Sequence, residues 1–363
     1  MKKVVDYIKD KSYYFLGATI FIIVLLIIIN SCSSKSGGNS YESMESKMVE
    51  AAKLYYQKYP KRLPKENSDT VKITSGTLID SELLKELKDP KKSDNYCSGY
   101  VEVTKIDDDY SYLPFLTCPG SYEPKYLVDV VRNSKLDEYG NGVYTIDKEL
   151  VYRGDIVNNF VSFSNMLWRI VSVDNLNDIK LVLANKSEEY YYWDKKYNSD
   201  SQSNDGINSD YFHSNIRKEL YNFYDKNIST DDKGKIVSKT ICVGALFDEE
   251  EFNREKECTI VKDNEKVMLL NAYDYKNASL DSNCSKLDSR ECTNYNYLSD
   301  SDYINTWLLT VDAKKSYKVY NLNHTLSNTS ASSEKRINPV IYLSGKVLIN
   351  GGKGTQENPY IIK

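Results

Sequence analysis

"NNFVSFSNMLWRIVSVDNLNDIKLVLAN", residues 158–185, decides the fold. It holds three apolar runs, Phe160–Phe163, Leu167–Val173 and Ile179–Ala184, with a turn at Asn175–Asn177 before the last. Short apolar runs bounded by turn residues read as strands. The stretch is therefore a meander that ends in a hairpin.

The chain beyond it keeps this character. "SNIRKELYNFYDKN" is a helix with Ser214 as N-cap and Ile216, Leu220 and Phe223 on its inner face. "ISTDDKGKIVSKTICVG" gives a short helix and a strand. "KVMLLNAYDYKNAS" gives a strand at Lys266–Leu270 and a helix or turn around Tyr273–Ala278. "TWLLTV" and "YKVYNL" are further strands. In the closing "INPVIYLSGKVLINGGKGTQENPYIIK", the "GGKGT" at 351–355 lacks the spacing and the strand–loop–helix setting of a phosphate loop. It reads as the turn of a terminal hairpin.

Towards the N-terminus, "DEYGNGVYTIDKELVYRGD" places Gly140 and Gly142 in a turn between short strands. Residues 100–105 and 110–118 read as two strands. Residues 77–88 read as a short helix capped by Asp80 or Ser81. "SMESKMVEAAKLYYQKY", 43–59, has Met44, Met48, Ala51, Ala52, Tyr55 and Tyr59 at helical spacing and stops at Pro60. "SSKSGGNS" is a flexible linker. Before it, Tyr13–Ile29 is apolar and follows Lys2, Lys3, Lys9 and Lys11. A spanning helix needs about 17–25 apolar residues. Basic residues ahead of the run keep the N-terminus in the cytoplasm. Residues 33–363 are then expected outside the membrane, on a single N-terminal anchor. Cys32, in "INSC", resembles a bacterial lipoprotein processing site and is the lipidation candidate, although Ile29 and Asn30 depart from that pattern; an uncleaved anchor is the preferred reading and a lipoprotein the alternative.

Six further cysteines fall into three neighbouring pairs: Cys97 with Cys118, Cys242 with Cys258, and Cys284 with Cys292. An even set outside the membrane fits disulfides in an oxidising compartment. No C-x-x-C occurs, and His213 and His324 are isolated. Zinc sites want close cysteine pairs or spaced histidines, so no metal and no cofactor is expected.

The formal net charge of −4 argues against a nucleic-acid partner, which calls for a basic face. No Ser/His/Asp set and no G-x-S-x-G elbow is present, so the chain reads as non-catalytic. Asp281, Asp288, Ser299, Asp300 and Asp302 could offer oxygens to calcium, but the spacing matches no EF-hand and a solvated loop is the better reading. "NSDSQSNDGINSD", 198–210, reads as a mobile loop. In "EEYYYWDKKY", 188–197, side chains alternate along a strand. Tyr190, Tyr191, Tyr192 and Trp193 cannot all face one core, so this is the ligand-facing candidate. Trp168 and Trp307 read as core.

Two resemblances follow. The order of helix, small sheet and cysteine-closed loop in 41–122, with "CSGYVEV" and "LTCPGSY", resembles type IV pilin-like and pseudopilin proteins. The prepilin glycine cleavage site and the glutamate at the start of the apolar helix are missing. "FSNMLWRIVSV", "SNIRKELYNFY", "VMLLNAYDY", "NYLSDSDYINTWLLT" and "PVIYL…GGKGTQENPY" together resemble a bacterial extracytoplasmic surface-protein family whose activity is uncharacterised. The strand pattern is loosely similar to the C-type-lectin-like domains of formylglycine-generating-type proteins. Many members carry Arg before the proline, where this chain has Asn338.

The expected fold is thus α+β. A membrane anchor or signal segment (1–32) and a linker (33–40) lead into a pilin-like region (41–122). A linker with short strands (123–150) joins it to a strand-rich, lectin-like extracellular domain (151–363). The resemblances imply a membrane-anchored cell-surface protein with a non-catalytic binding or interaction domain. Its expected partners are the membrane and a cell-wall glycan or another surface protein. A minor pilin in an envelope assembly is the alternative, and an extracellular cell-wall enzyme is a further one.

Overall fold

Ser40 starts the first helix, its hydroxyl accepting the Ser43 N–H at 3.1 Å. Helix α1 (Tyr41–Lys58) buries Met44, Met48, Ala51, Ala52 and Tyr55, the apolar spacing read from the sequence. In this computed structural model, residues 40–67, 69–106, 108–246, 261–286 and 289–363 are described. The expected anchor, Cys32, Cys258 and Asp288 lie outside them. Among the described residues, no helix is long and apolar enough to cross a membrane. The fold is mixed α+β, with more strand than helix.

The chain divides into two compact units. The first holds the described residues to Lys61, then Ile73–Val101 and Pro114–Glu123; the second holds Arg62–Lys72, Glu102–Leu113 and Pro124–Lys363. After α1 come β1 (Thr70–Thr74), α2 (Ser75–Asp80), β2 (Ser98–Ile106) and β3 (Asp109–Thr117). The strands form one sheet in the order β1-β2-β3. The helix expected over 77–88 starts earlier and is shorter. Thr74 caps it through the Thr77 N–H, and a positive φ of 59° at Glu82 precludes continuation.

In the first unit the sheet comes close enough to α1 to require a glycine. A Cβ on Gly99 would meet the Phe115 carbonyl oxygen at 2.1 Å and Cε of Met48 at 3.0 Å. The rings of Tyr41 and Tyr122 stack at 4.3 Å. Their hydroxyls donate to Asp89 at 3.0 Å and to Glu45 at 2.9 Å. The Cys97–Cys118 disulfide closes this unit as the sequence indicated.

The second unit runs through α3 (Leu127–Arg132), β4 (Gly142–Ile146), β5 (Glu149–Arg153), β6 (Phe160–Phe163), β7 (Met166–Val173), β8 (Ile179–Leu183) and β9 (Tyr191–Tyr192). It continues with α4 (Asn215–Asn227), α5 (Thr230–Lys233), β10 (Lys239–Cys242), β11 (Ala245–Leu246), β12 (Val261–Glu265) and α6 (Ala272–Ala278). It ends with β13 (Thr306–Asp312), β14 (Lys318–Asn323), β15 (Thr325–Ser330), β16 (Glu334–Lys335), β17 (Val340–Leu343), β18 (Ile349–Gly351) and β19 (Tyr360–Ile362).

The meander read from 158–185 is β6-β7-β8, the middle of an eight-stranded sheet. One edge of β7 pairs with β8. The other pairs first with β6 and then, from Ser172, with β5. Strand β17 extends the sheet beyond β8. Strand β19 lies parallel to β6 and closes the terminal hairpin with β18. Gly140 lies in a turn, its N–H donating to the Asp137 carbonyl at 3.1 Å, but that turn precedes β4, which starts at Gly142; β4 and β5 are joined at Asp147–Lys148, both at positive φ, a pairing that suits the twist of a two-residue hairpin. A second sheet runs β11-β13-β14-β15.

Helix α4 keeps its Ser214 cap and buries Ile216, Leu220 and Tyr224; Phe223 is only partly buried against the core. The strand expected at Lys266–Leu270 lies one step earlier, at β12. Val267–Leu270 is apolar because it threads the core, where each residue is buried, and only Met268 bridges to Val340. Trp168 and Trp307 belong to that core.

Candidate functional site

Strand β2 places Glu102, Thr104 and Ile106 on one face, because side chains alternate along a strand. That face forms one wall of a groove of about 580 Å³ within the second unit. The opposite wall is built from the segment after α5, from Asn264 and Lys266, and from Ser344 and Lys346. Backbone bonds fix this wall. Val237 N–H donates to the Tyr342 carbonyl at 2.9 Å, and Ser344 N–H to the Lys235 carbonyl at 2.9 Å.

The lining is polar. Asn67, Thr70, Thr104, Ser238, Asn264 and Ser344 present amides and hydroxyls. Thr70 and Thr104 share a hydrogen bond of 2.9 Å across β1 and β2. Glu102 is 7% exposed. Its Oε1 lies 3.3 Å from Lys72 Nζ and 3.5 Å from Lys346 Nζ, yet accepts no hydrogen bond. The two ammonium groups supply charge without hydrogen-bond geometry. A hydroxyl or amide entering the groove meets an acceptor with capacity to spare and several donors around it.

The tyrosine stretch is divided by the fold. Tyr190 is exposed, with the Arg336 guanidinium 4.9 Å from its ring centroid. Tyr191 and Tyr192 are half-buried on β9, paired with β16. Tyr191 donates to Glu189 at 3.1 Å. Burial, then the Glu189 bond and charge, push its hydroxyl up to about 12. Lys195 Nζ stands 3.3 Å over the Tyr192 ring. Trp193 has no exposed surface; it packs against Tyr211 at 6.0 Å and offers nothing to a ligand. Of the four, only Tyr190 is open to solvent over much of its surface, with one ring face next to a cation.

The cysteines are in bridges where the structure describes both partners, at Cys97–Cys118 and Cys284–Cys292. The third expected pair includes Cys258, outside the described residues. Asp89 lies beside the Cys97 and Cys118 sulfurs, but a bridged pair has no thiolate to give a metal.

The acidic loop is engaged internally. Asp281 accepts from Asn283 N–H at 2.8 Å and from Asn294 at 2.8 Å, while Asp300 faces Arg169 at 3.4 Å. Residues 198–210, read as mobile, are anchored. Asn208 Nδ2 donates to the carbonyls of Asp312, Lys315 and Lys318 at 2.7–3.1 Å. His213 contacts Asp210 at 2.9 Å with an exposed ring. His324 sits at positive φ in the β14–β15 turn.

Sequence reasoning missed Glu102. Its one signal was a charge between two valines in "YVEVTKI", both of which are fully buried. Nothing local reveals that residues 234–238 and 344–346 cover that face. The chain matches no family model, no curated protein and no solved structure.

Proposed function

We propose that this chain is a membrane-anchored bacterial cell-surface protein whose second unit binds a cell-wall glycan without catalysis. The observation that carries the reading is the polar groove around Glu102. Its volume of about 580 Å³ lies in the range of small-ligand sites, roughly 300–1,000 Å³. Hydroxyl and amide linings suit a hydroxyl-rich ligand. Lys72, Lys266 and Lys346 suit the carboxylates that wall polymers carry. Among the described lining residues Glu102 is the one carboxylate, whereas glycoside hydrolysis ordinarily takes a pair. That favours binding over turnover.

The apolar segment Tyr13–Ile29 is the anchor in this reading, with residues 33–363 extracytoplasmic. The two formed disulfides suit an oxidising compartment. The second unit is of C-type-lectin-like type and the first pilin-like. A second reading, a minor pilin, draws on α1, the small sheet and the Cys97–Cys118 closure.

The test is co-sedimentation of the full chain, in detergent, with insoluble purified peptidoglycan. Pelleting without release of soluble sugar supports the proposal. Release of soluble fragments shows an enzyme instead. Failure to pellet, together with co-purification with a pilus, would move the case to the second reading.

A further inference from the structure

Lys180 and Asp274 stand apart from the groove and meet in the core. Lys180 lies on β8 and Asp274 in α6, and their side chains are 6% and 7% exposed. Lys180 Nζ is 2.6 Å from Asp274 Oδ1 and 2.5 Å from Oδ2. The backbone N–H of Asn271 donates to Oδ2 at 2.9 Å. A cavity of about 60 Å³ is lined by Lys180, Asp274, Glu149, Tyr273 and Tyr342, among others.

We propose that Lys180 and Asp274 are joined by an isopeptide bond in the mature protein. An amine and a carboxyl in water remain an ion pair because solvent stabilises both charges. Burial removes that solvation, and the fold holds the reactants together so that their meeting carries no translational cost. Glu149 lines the same cavity, and we assign to it the transfer of one proton from Nζ to Oδ1, which gives Nζ a lone pair and makes the Asp274 carboxyl neutral before attack. Nζ attacks Cγ of Asp274, a C–N bond forms and the Cγ–Oδ1 bond breaks. Of the three ammonium protons, one stays on the amide nitrogen and two leave with Oδ1 as water. One positive and one negative charge vanish together, so no oxidant or activating group is needed. The Asn271 N–H meets the negative charge that develops on Oδ2, as an oxyanion donor does. The cavity has room for the product water, whose share of liquid volume is about 30 Å³.

The bond would join two elements whose residues are 94 positions apart in sequence and tie α6 to β8 of the eight-stranded sheet. Replacing a buried ion pair by an amide also removes two desolvated charges from the core.

The experiment is peptide mapping of the full chain after reduction and denaturation, on protein whose Cys284–Cys292 bridge was intact beforehand. The expected result is a branched peptide joining the Lys180 and Asp274 segments, lighter than their sum by one water. Lys180→Arg should give both segments separately at full mass. Glu149→Gln keeps the ion pair and should fold, and the fraction joined at a fixed time should drop at least tenfold. Separate, full-mass peptides from the folded wild-type chain would overturn the proposal. So would a loss of water that maps to other residues. Unchanged joining in Glu149→Gln would overturn the part assigned to Glu149.

Discussion

Oε1 of Glu102 lies 3.5 Å from Nζ of Lys346 and accepts no hydrogen bond from it. A buried carboxylate oxygen in that position keeps its desolvation cost. The arrangement makes sense if a ligand completes it, and it sets the first test. Glu102→Gln removes a poorly satisfied charge, so the unfolding midpoint in urea should stay level or rise. A drop of several kcal/mol would show that Glu102 is a structural residue.

The tyrosine stretch should split energetically as it splits in space. Trp193 is fully buried and Tyr190 is 47% exposed. Trp193→Ala should cost about 3–5 kcal/mol, as large aromatic deletions in cores do. Tyr190→Ala should change stability by no more than about 0.5 kcal/mol, as a surface site does. Chemical denaturation of both variants checks this.

Removing the first-unit bridge by Cys97→Ser with Cys118→Ser should lower stability by about 2–4 kcal/mol. Non-reducing peptide maps of the wild type should show Cys97 joined to Cys118 and Cys284 joined to Cys292.

Asp194 gives a pH signature. Burial raises its carboxyl above the ordinary 3.8, against the opposing Lys196 N–H and Lys196 charge. Its Oδ1 accepts the Lys196 N–H at 2.6 Å, and Oδ2 has no hydrogen bond. A raised folded value means that the native state binds this proton more tightly than the unfolded chain. The contribution to stability is therefore full below 3.8 and is lost as pH rises through the folded value. Asp194→Asn, which keeps an acceptor for the Lys196 N–H, should remove that decline. The difference in urea midpoint between variant and wild type, followed upward from pH 3.8, reads it.

What the sequence disclosed and what it concealed follow from range. The β6-β7-β8 meander was legible because each strand is set by its own apolar run and by turns such as Ser164–Asn165 at positive φ. α1 and the Ser214-capped α4 were legible for the same local reasons. Lys266–Leu270 misled because burial in the core and membership of a strand leave the same apolar mark. α2 was misplaced because Thr74 outcompeted Asp80 and Ser81 as cap. The groove was hidden because its walls come from segments more than a hundred residues apart. The Lys180–Asp274 contact was hidden likewise, its partners lying 94 positions apart.

The most direct measurement is a binding isotherm of the full chain on insoluble peptidoglycan, taken side by side for wild type, Glu102→Gln and Tyr190→Ala. Loss of one hydrogen bond to a charged group costs about 1.5–3 kcal/mol, so Glu102→Gln should weaken binding by roughly ten- to a hundredfold while Tyr190→Ala stays at the wild-type value. Equal isotherms for wild type and Glu102→Gln, or a wild-type chain that does not bind, would contradict a glycan-binding groove.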